Sequence, residues 1–172
     1  SYGEDYDVHS VLVRATSNEF IAWSEVCPLQ APAYLTESVL SVFAHITEFF
    51  GPHIVGREYA TAEDVNDRLA IFKGNSFAKA GIEECWWTLQ SQITDTPLHQ
   101  LLGGKTREVS AGADFGIQDS YEMLLGNIQK AVDNGFPRVK LKVARGWDLE
   151  MLQIVTSTFP DMTFHIDCNS GY

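Results

Sequence analysis

The chain has 172 residues, 45% of them hydrophobic, and a formal net charge of −11. That composition supports a sizeable folded core, and its acidic balance argues against nucleic acid or an anionic membrane as partner, since both select basic patches. No apolar run approaches the roughly 20 residues of a membrane span, and Cys27, Cys85 and Cys168 match no CxxC or zinc pattern, which points to a reducing, cytoplasmic setting.

In chain order, Val11 to Val26 predicts a β-hairpin: VLVRA, a polar turn at Thr16 to Glu19, then FIAWSEV. Helical text follows. Thr36 is a candidate cap for ESVLSVFAHITEFF with a stop at Gly51, and Thr61 opens AEDVNDRLAIF. Ser76 begins FAKAGIEECWWTLQSQI, and Thr96-Pro97 starts a short helix ending at the glycines of LLGG. Residues 1–104 thus predict one α+β domain, and residues 105–172 another with a different rhythm.

From Lys105 the elements alternate: SAGADFG as strand, SYEMLLGNIQKAVDN as helix, RVKLKV as strand, DLEMLQIVTSTF as helix and TFHIDCN as strand. The first of these helices sets Leu124, Leu125, Ile128, Ala131 and Val132 on one stripe, the pattern of a helix that covers a sheet. Repeated βαβ units predict a parallel sheet with right-handed crossovers, either doubly wound or the start of a (β/α)8 barrel. A barrel takes about 250 residues, so three strands are only its beginning.

The stretch RVKLKV is the chemically informative one. Lys140 and Lys142 alternate onto one face of a strand, and the next strand sets His165 and Asp167 on one face with Asn169 following. In parallel α/β sheets the C-terminal strand ends line the active site. Two adjacent ammonium groups lower each other's pKa, and a lysine neutral near pH 7 can abstract a proton. A strand-end carboxylate is a hard oxygen ligand suited to Mg²⁺. Metal plus lysine base suits removal of a proton from carbon next to a carboxylate. Each signal also has a plainer reading: KxK as a solvated strand face, Asp167 to Gly171 as a turn, Cys168 as a small core residue.

The order of segments changes the reading. SYG at Ser1 to Gly3, QAPAY at Gln30 to Tyr34, AWSE, FAKAGIEECWW, PLHQLLGG, GADFGIQDS, RVKLKV and HIDCNSGY follow one another along the chain. In this order they resemble the enolase superfamily in its muconate-lactonizing group, nearest the branch of o-succinylbenzoate synthases and N-succinylamino acid racemases. SYG and QAPAY are similar to that family's two capping loops, AWSE to its GWGE, and PLHQLLGG to its domain-joining segment.

The resemblance implies an α/β fold, an α+β capping domain followed by the first strands of a (β/α)8 barrel. It implies Lys142 as the acid/base lysine with Lys140 in support, and Asp167 as a ligand of Mg²⁺ or another divalent cation such as Mn²⁺. Asn169, Tyr2 and Tyr34 would lie near the substrate. Asp114 stands where the branch has a small hydroxyl residue, and it brings a carboxylate to the mouth of the site. The implied substrate is a small carboxylate and the implied assembly a homo-oligomer. The implied reaction is proton abstraction alpha to a carboxylate and syn elimination of water, the o-succinylbenzoate synthase step of menaquinone biosynthesis. Racemisation of N-succinylamino acids starts from the same enolate, and a non-catalytic binding module is the alternative of another class. The family's other metal ligands and second lysine fall on later strands, so the chain reads as an internal fragment, inactive alone and lacking the first capping strand.

Overall fold

The computed structural model describes residues 7–33, 35–105, 108–169 and 171–172. Two units form within the chain, residues 1–105 and 106–172. In the first, β1 (Val11–Ser17) and β2 (Phe20–Val26) pair antiparallel with Ser17 opposite Phe20, so the turn is Asn18-Glu19 alone. Asn18 takes the left-handed φ of 50° that a two-residue hairpin loop needs at its first position. Thr16 and Ser17, expected in the turn, stay in the ladder.

The following helix differs from expectation at both ends. α1 (Val39–Ala44) is capped by Ser38 rather than Thr36, with Ser38 and Ser41 exchanging side-chain to backbone hydrogen bonds. It runs through a π-helical segment (His45–Phe50) into α2 (Gly51–Ile54) without stopping at Gly51. Gly51 keeps a helical φ of −56°, and a Cβ there would lie 2.8 Å from the Ile46 carbonyl oxygen. The residue therefore serves close packing and not termination.

α3 (Ala62–Leu69) opens with a Thr61–Asp64 capping box. α4 (Ser76–Ile93) is the spine of the unit, with Ala78 and Ile82 in the main core beside Val11, Val26, Val42 and Phe50. Its N-terminus has no local side-chain cap, because Asn75 sits in the left-handed region. The buried Glu37 fills that role, accepting the Phe77 N–H at 2.9 Å and the Ala78 N–H at 3.1 Å. α5 (Leu98–Leu101) follows.

In the second unit, β3 (Ala113–Phe115), α6 (Tyr121–Asp133), β4 (Arg138–Lys142), α7 (Leu149–Thr158) and β5 (Thr163–Asp167) alternate as expected. The three strands form a parallel sheet in the order β3-β4-β5. One face packs on the helices: Ala113, Phe115, Val139, Leu141 and Phe164 meet Leu124, Ile128, Met151 and Val155. Val132, placed on the α6 stripe by spacing, lies at its rim and is 38% exposed. Alternation puts the charged residues of all three strands on the opposite face. Among the described residues, no helix is long and apolar enough to cross a membrane.

Candidate active site

The sheet register decides which charges meet. Asp114, Lys140 and His165 are cross-strand neighbours in one row, and Lys142 and Asp167 in the next. Lys142 Nζ lies 2.7 Å from Asp167 Oδ2 and also donates to the Asn169 side-chain oxygen. Lys140 Nζ lies 3.1 Å from Asp114 Oδ2 and 3.1 Å from Asp167 Oδ2. Asp167 Oδ1 accepts the backbone N–H of Asn169 at 3.0 Å, which the left-handed φ of 46° at Asn169 turns back toward it. Asp114, Lys140, Asp167 and Lys142 form a chain of charges alternating in sign.

This geometry corrects one expectation. The adjacent lysines were expected to depress each other, yet Lys140 is held above the usual lysine value, first by its hydrogen bond to Asp167 and then by that to Asp114. Two carboxylates in contact outweigh one neighbouring ammonium. Asp167 is held well below the usual carboxylate range, chiefly by Lys142, then by the Asn169 N–H and Lys140.

The donor set does not by itself make a metal site. Asp167 is one hard oxygen donor of the type that Mg²⁺ accepts. Among the described residues no group of three or more His, Cys, Asp or Glu side chains comes together to hold an ion. Both Asp167 oxygens are engaged by protein groups, so a cation would have to displace an ammonium or join one.

Of the residues singled out by sequence, the structure brings together Lys140, Lys142, Asp114, Asp167 and Asn169. Tyr2 and Tyr34 lie outside the described residues. Arg138 was missed, although it stands two positions before Lys140 and alternation alone places it on the same face. It lies across Gly112, where a Cβ would sit 2.8 Å from Arg138 Cγ, and with Asp114, Lys140 and His165 it lines a cleft of about 180 Å³. Also missed was a tie from Tyr172, whose hydroxyl donates to Asp148 Oδ2 at 2.6 Å and joins the segment after β5 to the one before α7. That bond pushes the Tyr172 phenol up to about 12. A wider hollow in the first unit, lined by Glu58, Asp64 and Arg68 among others, is open and holds none of these lysines.

A parallel sheet that carries a lysine-carboxylate chain on the face away from its helices thus follows an α+β unit along the chain. Residues 9–103 match the mandelate racemase / muconate lactonizing enzyme N-terminal domain, and the chain belongs to that family of the enolase superfamily. It is 37% identical over 141 residues to the N-succinylamino acid racemase of Thermus thermophilus, covering 82% of this chain and 38% of that protein. It is 34% identical over 150 residues to the o-succinylbenzoate synthase of Bacillus subtilis, covering 87% of this chain and 40% of that protein. A crystal structure of an enolase-superfamily member from Listeria innocua superposes with a TM-score of 0.90 at 26% identity, over 95% of this chain and 44% of the other. The chain therefore spans less than half the length of each of these three relatives.

Proposed function

We propose that the whole protein is an o-succinylbenzoate synthase, acting in the cytoplasm on a small carboxylate substrate. The observation that carries this reading is the pair of lysines on the sheet face away from the helices, one in register with a strand-end carboxylate and the other bridging to it. Lys142 takes the proton alpha to the substrate carboxylate. The Lys140 ammonium lies alongside and balances the charge that develops on the carboxylate oxygens. Lys142 then returns its proton to the hydroxyl leaving from the same face, and water departs. Asn169 holds Lys142 and faces the same space. A divalent cation, Mg²⁺ or Mn²⁺, belongs to this proposal as a charge-stabilising partner, and the described residues supply only Asp167 to it.

The 37% identity to a racemase favours a second reading on the same scaffold, exchange of the alpha proton of an N-succinylamino acid. Both readings share the first step. The complete protein, assayed with Mg²⁺, tests them together: dehydration of the menaquinone precursor at a rate far above racemisation gives the synthase, and the reverse ratio gives the racemase. Absence of both reactions removes the proposal.

A further inference from the structure

We propose that Asp114 is the positioning residue for Lys140 and acts on the reaction through that lysine. The inference rests on the enolate-forming reading above and adds to it a role for a residue of β3.

The register gives the first support. Asp114 is the direct cross-strand neighbour of Lys140, whereas Asp167 is the neighbour of Lys142 and meets Lys140 only along a diagonal. Division of labour gives the second. Asp167 Oδ2 is shared between two ammonium groups, at 2.7 Å and 3.1 Å, and Oδ1 is taken by the Asn169 N–H. Asp114 Oδ2 holds Lys140 alone, at 3.1 Å. Asp114 is thus the carboxylate that Lys140 does not share with Lys142.

A lysine stem is flexible, and the Lys140 side chain is 31% exposed, so space exists for its ammonium to leave the face. The Asp114 side chain is 55% exposed. A pair this open contributes little to folding stability, so a structural role is the weaker explanation of its geometry. A displacement of about 1 Å at a catalytic group costs up to about 100-fold in rate.

The test uses the complete protein with Asp114→Ser, Asp114→Glu, Lys140→Met and the Asp114→Ser/Lys140→Met double variant. Crystal structures should show the Lys140 ammonium displaced in Asp114→Ser while β3 and β4 stay in place. The kcat for alpha-proton exchange should fall roughly 10- to 100-fold with KM little changed, and Asp114→Glu should recover part of it. In the Lys140→Met background, Asp114→Ser should have no further effect. An unmoved Lys140 in Asp114→Ser overturns the proposal. So does a full Asp114→Ser effect in the Lys140→Met background, because Asp114 would then act on the substrate directly. If the wild-type protein neither dehydrates the menaquinone precursor nor exchanges an alpha proton, the enzymatic reading fails, and the position of Lys140 in the Asp114→Ser crystal still decides this one.

Discussion

Asp167 is the residue on which both lysines converge, and its ionisation reports the whole arrangement. Its carboxyl is held below the usual range, so it remains charged well under the ordinary aspartate value of about 3.9. A depressed folded-state pKa contributes stability that is present above the unfolded value and lost as pH falls through the folded one. Followed by the carboxyl carbon resonance, Asp167 should titrate below pH 3.9, a value near the unperturbed one. Lys142→Ala should raise its midpoint more than Lys140→Ala, since Lys142 is the larger cause. A midpoint at the ordinary value in the wild type would show that the ion contacts do not persist in solution. The Tyr172 phenol gives an independent check: it should ionise near 12, and Asp148→Asn should return it toward about 10.

Among the elements, α4 carries the first unit, and two positions show how closely it is fitted. A methyl added at Gly81 would gain up to about 1 kcal/mol of helix propensity in isolation. Here the new Cβ would lie 2.2 Å from Val26 Cγ2 of β2, closer than real Cβ contacts come. Overpacking of this kind costs about 1–3 kcal/mol, so the clash decides the sign. Gly81→Ala should lower stability to chemical denaturation, and an unchanged or raised midpoint would mean that the helix and hairpin are not held this close. Glu37→Ala should cost about 2–3 kcal/mol, because it leaves two N–H groups at the start of α4 without their charged acceptor. The same elements show what was legible in the sequence. Period-2 alternation in RVKLKV and TFHID and the apolar stripe of α6 were local signals, and they gave the sheet, its buried face and its charged face. Glu37 as the cap of α4 and Gly51 as a packing position were not legible. Each depends on a group brought in by folding, the α4 N-terminus in one case and a π-helical carbonyl in the other.

For the molecule as a whole, the site combines residues whose spacing was readable with charges whose balance was not. That Lys140 and Lys142 share a face follows from alternation. That Lys140 is stabilised as a cation follows from two carboxylates on the flanking strands, one of them the Asp114 that departs from the expected small hydroxyl residue. Family membership and the lysine-carboxylate chain support enolate chemistry, and the relatives carry two different reaction names on this scaffold. The step common to both is the most direct point of attack. The complete protein, with Mg²⁺ in deuterated water, should dehydrate the menaquinone precursor or exchange the alpha proton of an N-succinylamino acid for deuterium, followed by proton NMR. Lys142→Ala should slow whichever reaction the wild type performs by about 10²- to 10⁴-fold, the range for loss of a general base. Turnover by Lys142→Ala at the wild-type rate would contradict the account and leave the two lysines as the solvated face of a strand.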